Sequence, residues 1–129
     1  MTALSLEHHD PEAAMAVRLE TAQSVAREAG RLAKRFLADR SNLGVELKGP
    51  QDFVSKADRA VEELIVKRLS AAFPNDGFVG EEGGQSIIGQ SEGSSIWIID
   101  PIDGTANFVQ GRSEWCVSIG LLQSRRSGR

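Results

Sequence analysis

The sequence predicts an α+β fold in which two amphipathic helices lie on a mostly antiparallel sheet. Before residue 73, apolar residues recur every three or four positions in two long segments, which is the period of a helix with one buried face. Beyond residue 77 they form short runs that are typical of strands, and turn residues separate the segments. Helices followed by strands favour a layered α+β architecture over a helix bundle or a β sandwich.

The first helix is predicted over residues 11–39. Charged residues fall mostly between the apolar or small residues of its stripe, as expected of a helix with one exposed face. The stripe consists of Ala22, Val25, Ala29, Leu32 and Phe36. Ser41, Asn42 and Gly44 then supply the turn chemistry that ends the helix.

The second helix is predicted to begin at Ser55, because Ser55 and Asp58 have the spacing of a capping box. Its apolar stripe consists of Ala57, Val61, Leu64, Ile65, Leu69 and Ala72, and a turn over residues 74–77 follows it. The segment 45–53, with Gly49 and Pro50 at its centre, is predicted to be an extended hairpin or loop.

Three strands are predicted after the second helix. Residues 78–80 form a short strand that leads into two acidic residues, and residues 117–122 form another. Between them, residues 96–99 form a continuous apolar run with turn signals on both sides, which is typical of a strand buried on both faces. We expect one domain over residues 16–122, a flexible amino terminus over 1–15 and a disordered tail over 123–129.

The composition is that of an ordinary globular protein, with 40% apolar and 26% charged residues. A formal charge of −3 gives no overall attraction for nucleic acid. The sequence has neither a signal-peptide pattern nor an apolar run near the roughly 20 residues that span a bilayer, so no membrane association is expected. Cys116 is the only cysteine, which excludes an internal disulfide and favours the cytoplasm; we interpret it as a small core residue.

The most informative residues are two aspartates, Asp100 and Asp103, at the end of the apolar run. Two carboxylates at the end of a buried strand are costly unless water, hydrogen-bond donors or a cation compensate them, and a cation fits best. Pro101 fixes φ and Gly104 permits an unusual backbone path, so the chain can aim both acids at one point. Such a string is also ordinary turn chemistry, and alone it would leave both interpretations open.

A second pair of acids, Glu81 and Glu82, follows the preceding short strand and changes that balance. Four acids brought together demand a divalent cation, and oxygen ligands favour magnesium, manganese or calcium over zinc. A helix-loop-helix calcium site is excluded, because Pro101 and the three-residue gap between the aspartates break its pattern. If a helix begins near Gly104, its free amides would bind a phosphate oxygen beside the cation.

These motifs resemble, in order and spacing, the signature of the inositol monophosphatase family, and the resemblance runs from about residue 16 to residue 122. The residues that carry it are Lys48, Asp52-Phe53-Val54-Ser55, Ala57-Asp58, Gly80-Glu81-Glu82, Trp97-Ile98-Ile99-Asp100-Pro101-Ile102-Asp103-Gly104-Thr105 and Asn107-Phe108. The resemblance implies the amino-terminal part of a layered αβαβα sandwich and a magnesium-dependent sugar-phosphate phosphatase.

The resemblance also implies a role for several residues. Glu81, Asp100, the carbonyl of Ile102 and Asp103 would bind Mg²⁺, with Asp103 bridging more than one ion. Glu81 would thereby take part in catalysis, Asp52 and Thr105 would orient the attacking water, and the Gly104 and Thr105 amides would hold the phosphate. Glu82 and Lys48 could equally be solvated, and the polar segment around His8 and His9 indicates that both histidines are solvated.

Two departures from the family separate the functional hypotheses. Family members continue into a second half that brings another metal aspartate and most groups that select the sugar, whereas this sequence ends in an arginine-rich tail. Ala106 also stands where the family often has threonine. The first hypothesis is hydrolysis of a phosphate monoester on a small polyol or sugar, led by inositol monophosphate, with histidinol phosphate, fructose bisphosphate and bisphosphate nucleotides as relatives' substrates. The second is a poorly active or inactive chain with a partial metal site. A homodimer is compatible with both.

Overall fold

The computed structural model describes residues 11–39, 50–80, 87–88 and 95–123, with the backbone alone for residues 50–53, 55 and 87–88. Within these ranges the chain forms two long helices, a four-stranded sheet and one short helix. The predicted α+β class is therefore confirmed. No helix in this part of the chain is long and apolar enough to cross a membrane.

Helix α1 spans Pro11–Ala38, as the periodicity predicted. Glu12 lies in its first turn and Arg35 in its last, where each charge is favourable to the helix dipole. The buried face consists of Val25, Ala29 and Ala33, which are small enough to let the next helix approach closely. The helix begins five residues before the domain boundary expected at residue 16, and the predicted domain limits themselves stay predictions.

Helix α2 spans Pro50–Ala72, so two predictions about its start were wrong. Ser55 lies inside the helix rather than at its cap, and residues 50–53 are helical rather than a loop. Proline suits a first helical position, because it has no N–H to leave unpaired and its φ is already helical. Four residues at strict four-residue spacing, Ala57, Val61, Ile65 and Leu69, form the buried face and are 0% exposed.

The strands are β1 (Gly77–Gly80), β2 (Ile87–Ile88), β3 (Ser95–Asp103) and β4 (Cys116–Gln123), arranged in the order β2-β1-β3-β4. Strand β1 pairs with β3 in parallel, whereas the other two pairings are antiparallel, which confirms a mostly antiparallel sheet. All three predicted strands are present, and Gln123 of the predicted tail belongs to β4. The rest of that tail lies outside the described residues.

The two helices cover only one face of the sheet, which we call the covered face. Phe78, Trp97 and Ile99 project into it and are 2% exposed or less. The opposite face, which we call the open face, carries Ile98 and Leu122 at 44% and 56% exposure. The prediction that residues 96–99 are buried on both faces was therefore wrong, because no described element covers the open face.

Candidate metal and phosphate site

The pairing of β3 with β4 decides where the two aspartates lie. Asp100 pairs with Ser118 and Asp103 pairs with Cys116, so three steps along β3 match two steps along β4. One extra residue in β3 therefore forms a bulge. Directly paired residues share a face of the sheet, and residues two apart on one strand also share a face. Asp100 and Asp103 consequently lie on the same face, although a regular strand would place them on opposite faces.

The face that the aspartates share is the open face. Ile98 and Asp100 are two residues apart on β3, and Ile98 projects into the open face. Asp100 is half-buried and Asp103 is exposed, whereas Pro101 and Ile102 between them are buried. The two apolar residues of the bulge thus anchor the strand end in the core, while the acids on either side remain accessible to solvent.

Gly104 turns the chain from β3 into helix α3, which spans Thr105–Val109. Its φ of 93° lies in the left-handed region, which residues with a Cβ rarely adopt. A Cβ at this position would also lie 2.9 Å from the Glu114 carbonyl oxygen and 3.3 Å from the Trp115 Cα. Glycine is therefore favoured here for two reasons, and a short helix does begin directly after it.

The segment that returns from α3 to β4 packs against that helix. Phe108 is fully buried and its ring meets Trp115 edge to face, with centroids 5.1 Å apart. The Asn107 side-chain amide donates a hydrogen bond of 2.9 Å to the Glu114 carbonyl. These contacts hold α3 in place, and with it Thr105, which begins the helix two residues after Asp103.

The predicted metal ligand Glu81 lies outside the described residues, and so do Glu82 and Lys48, whose roles the sequence leaves open, and His8 and His9, which are expected to be solvated. Asp52 belongs to the first turn of α2, but its side chain is not described. Within the described ranges no group of three or more histidine, cysteine, aspartate or glutamate residues could hold a metal ion. The described residues therefore contribute Asp100 and Asp103 to the predicted cation site, and its convergence with Glu81 stays a prediction.

The prediction that Cys116 is a core residue was wrong. Cys116 is exposed and pairs with Asp103 at the start of β4. The apolar run around it had suggested burial, but alternate residues of β4 face the open side, and Cys116 is one of them.

Three acids are buried or half-buried, and the sequence analysis predicted burial for none of them. Asp58 is 2% exposed and Asp76 is 3% exposed. Glu62 lies one turn after Asp58 on α2, and its carboxylate lies so close to Gly80 that a Cβ there would be 2.8 Å from the Glu62 Cδ. The available signal was that Asp58 and Glu62 adjoin the buried stripe of α2, where an acid is unusual. Asp76 gave no such signal, because it lies in a turn.

The protein is therefore an α+β protein in which helices cover one face of a mixed sheet. A bulge places two aspartates on the other face, just before a short helix that follows Gly104. The family model described as "Inositol monophosphatase family" matches residues 14–127, and the chain belongs to that family.

Individual relatives are similar to this chain over most of its length. The chain is 45% identical over 94 residues to "Inositol-1-monophosphatase" from Rhizobium meliloti (strain 1021), covering 73% of this chain and 35% of that protein. It is 42% identical over 109 residues to "Nus factor SuhB" from Pseudomonas aeruginosa, covering 84% of this chain and 40% of that protein. This chain therefore spans well under half the length of these relatives.

Solved structures agree on the fold. The extragenic suppressor protein suhB from Bartonella henselae is 32% identical with a TM-score of 0.68, covering 83% of this chain and 39% of that chain. The inositol monophosphatase from Anabaena (Nostoc) sp. PCC 7120 is 29% identical with a TM-score of 0.66, covering 84% and 36%. The recognition of the family from sequence motifs is thereby confirmed, and so is its fold.

Proposed function

We propose that this chain carries the cation and phosphate site of a magnesium-dependent phosphatase that hydrolyses a phosphate monoester on a small polyol or sugar, with inositol monophosphate as the first candidate. The observation that carries this proposal is the bulge in β3, which brings Asp100 and Asp103 to one face immediately before Gly104. Membership of the inositol monophosphatase family and a relative named inositol-1-monophosphatase support the same reaction class.

The donor set fits a hard divalent cation. Asp100 and Asp103 offer carboxylate oxygens on the same face, and oxygen ligands suit Mg²⁺. In this proposal the magnesium would be held by Glu81, Asp100, the carbonyl oxygen of Ile102 and Asp103, and Asp103 would contribute charge to more than one ion. When bound, Mg²⁺ would lower the pKa of a coordinated water and stabilise the leaving oxygen.

The chain's own polar groups would orient the reactants. Thr105 begins α3, where backbone N–H groups have no partner within the helix, so we assign the Gly104 and Thr105 amides to the phosphate oxygens. We assign Asp52 and the Thr105 hydroxyl to the orientation of the attacking water. No protein nucleophile is needed, because a positioned water can attack phosphorus in line with the leaving oxygen.

A phosphate-release assay tests this proposal. The panel contains inositol monophosphate, histidinol phosphate, fructose bisphosphate and a bisphosphate nucleotide, each with and without Mg²⁺. We expect magnesium-dependent release with one preferred substrate, and loss of that release in Asp103→Asn. Release that needs no magnesium, or that survives Asp103→Asn, would contradict the proposal.

The second candidate is a chain that keeps a partial cation site but turns substrate over slowly. Its support is the length of the chain, which covers 35% and 40% of two relatives. In the same assay this candidate predicts cation binding that Asp103→Asn abolishes, accompanied by phosphate release far below that of a full-length relative.

We also propose a cytoplasmic protein that forms a homodimer. A single cysteine, exposed on the open face, supports a compartment in which thiols stay reduced. The apolar residues exposed on that face support self-association. Size-exclusion chromatography with light scattering tests the dimer, and a monomer at all concentrations would contradict it.

A further inference from the structure

The outer side of the two long helices carries positive charge that the net charge of the chain conceals. The whole chain has 15 basic and 18 acidic residues, and its formal charge is −3. Over residues 27–35, however, α1 contains four basic residues and a single acid, Glu28. Arg68 of α2 adds a fifth basic residue, because it donates two hydrogen bonds to the Glu28 carboxylate, from Nε at 3.0 Å and from Nη2 at 2.6 Å. We call the five basic residues the arginine surface: Arg27, Arg31, Lys34, Arg35 and Arg68.

The four basic residues of α1 form a row along one side of that helix. Arg27, Arg31 and Arg35 follow one another at four-residue spacing, and Lys34 lies three residues after Arg31. Residues three or four apart are neighbours on the surface of a helix, so these side chains share one side. All four residues are exposed, and the row is about 12 Å long at 1.5 Å per residue. The row is thus a short line of positive charge that is accessible to solvent.

The one acid within this surface does not balance its charge. The pKa of Glu28 is held below its ordinary value, chiefly by the hydrogen bond from Arg68. The charges of Arg31 and Arg35 lower the same pKa further, so both residues lie close enough to interact with this carboxylate. Three guanidinium groups therefore act on a single carboxylate, and an excess of positive charge remains on the outer side of the helices.

The stability of α1 does not account for the row. Like charges four residues apart are slightly destabilising on a helix. Arg31 has such a neighbour on both sides, since Arg27 precedes it and Arg35 follows it at that spacing. Arg35 is favourable in the last turn because of the helix dipole, but Arg27 and Arg31 lie in the helix interior, where the dipole contributes little. A ligand outside the helix explains the row better than a role within it.

The ends of the row limit what such a ligand can be. Glu20 lies about two turns before the row and Asp39 about one turn after it, and both acids are exposed. A nucleic-acid duplex carries a negative charge about every 1.7 Å along its axis, so a duplex that extended past the row would meet these acids. A membrane surface would need large apolar side chains beside the charges. Among the described residues of α1, the exposed ones are Met15 and Leu19, two turns or more from the row.

A short acidic segment of a protein fits the row in both chemistry and length. The planar guanidinium fork of arginine matches the geometry of a carboxylate. Carboxylates four residues apart on a partner helix would recur about every 6 Å, which is the spacing of Arg27, Arg31 and Arg35 along α1. We propose that the arginine surface binds an acidic helical segment of a partner protein. This interaction is separate from the proposed phosphatase site, which lies on the open face of the sheet.

Binding of a designed peptide to the full 129-residue chain tests the proposal. The probe is a fluorescent helical peptide of about 15 residues with glutamate at every fourth position, and its matched control has glutamine at those positions. The test variant carries Arg27→Gln and Arg31→Gln. The control variant carries Arg59→Gln and Arg112→Gln, which remove two exposed arginines outside the arginine surface. Circular dichroism first establishes that both variants are folded.

Fluorescence anisotropy at low salt then gives the dissociation constants. We expect the wild type to bind the glutamate peptide and not the glutamine peptide. The dissociation constant should rise about tenfold in the test variant, which is the loss expected for two exposed charge pairs, and stay unchanged in the control variant. The affinity should also weaken as salt is added, because exposed charges are screened.

Competition with other anions separates the acidic segment from the two alternatives. A short DNA duplex and vesicles of phosphatidylserine and phosphatidylcholine are added to the bound peptide. We expect each to displace it less effectively than unlabelled glutamate peptide at equal negative charge. More effective displacement by the duplex or by the vesicles would overturn the acidic segment as the partner. A wild type that does not bind the peptide, or an equal loss in the two variants, would overturn the arginine surface as a binding site.

Discussion

The covered and open faces of the sheet are made by the same strands, yet they differ in what they contribute. Along β3, Trp97, Ile98 and Ile99 are 1%, 44% and 0% exposed. The covered face packs against both helices and supplies the apolar burial that stabilises the fold. The open face carries Asp100 and Asp103. One strand thus divides stability and proposed chemistry between its two sides.

This division teaches that apolar character alone does not tell which face of a strand is covered. Ile98 and Ile99 are chemically identical neighbours, and the difference between them comes from α1 and α2, which lie on one side only. The proposed cation site needs access for solvent and ligand, and Asp100 and Asp103 lie on the face that no described element covers.

The largest expected effect comes from the two neighbouring isoleucines. Ile99→Ala removes a side chain that is 0% exposed and leaves a cavity, so we expect the free energy of unfolding to fall by about 2–5 kcal/mol. Ile98→Ala removes the same atoms from a side chain that is 44% exposed, and should cost less than about 1 kcal/mol. Urea titration of both variants provides the measurement. Equal losses would mean that the open face is covered in solution, for example by a second copy.

The next effect compares Asp103, on the open face, with Glu82, the acid whose role the sequence leaves open. Asp103→Asn removes a charge proposed to be shared between two ions, so we expect Mg²⁺ affinity to fall by more than about 100-fold, the upper end for loss of an outer partner. Glu82→Gln should matter less. Titration calorimetry compares the two variants with the wild type. If both variants lose the same affinity, the bridging role belongs to another acid.

A third prediction compares two glycines. Gly104→Ala should lower the free energy of unfolding by about 1–3 kcal/mol, because the residue has positive φ and its Cβ would press on the Glu114 carbonyl. Gly120→Ala is the matched control, since its Cβ would meet only the Ile98 carbonyl oxygen at an ordinary 3.9 Å. Thermal unfolding of both proteins measures the difference. A neutral Gly104→Ala would show that the turn into α3 can adopt another path.

Much of the fold follows from local patterns in the sequence, but its pairings do not. The stripes of α1 and α2 and the apolar runs of β3 and β4 are periodic within one segment, so they could be predicted. The bulge before Asp103 depends on which β4 residues pair with β3. The buried carboxylate of Asp76 accepts two hydrogen bonds from Arg18, 58 residues away in the sequence. Such nonlocal contacts leave no periodic signal, so the sequence places Asp76 only in a turn.

The predictions that α2 begins at Ser55 and that Cys116 is buried were wrong for a different reason. A capping-box pattern at Ser55 favours a helix start but does not prevent the helix from extending back to Pro50. Cys116 lies in an apolar run, yet the pleat places alternate residues on opposite sides. In both cases a correct local signal was compatible with two structures. For Cys116 the helices decide between them, because they cover only the other face of β4.

The smallest effect is expected from the exposed pair of Glu28 and Arg68, which joins α1 and α2 away from the sheet. The hydrogen bond from Arg68 holds the pKa of Glu28 below its ordinary value. A carboxylate whose pKa is lowered in the folded state stabilises the fold above its ordinary pKa, and that contribution is lost as the pH falls through the lowered value. We therefore expect Arg68→Gln to lower the melting temperature slightly at neutral pH and low salt, and the difference from wild type to shrink in acid and in high salt.

Lys67→Gln, at an exposed position on the same helix, is the control for loss of one positive charge. A difference that persists unchanged at a pH where Glu28 is protonated would mean that Arg68 stabilises the helix pair through its hydrocarbon chain rather than through its charge.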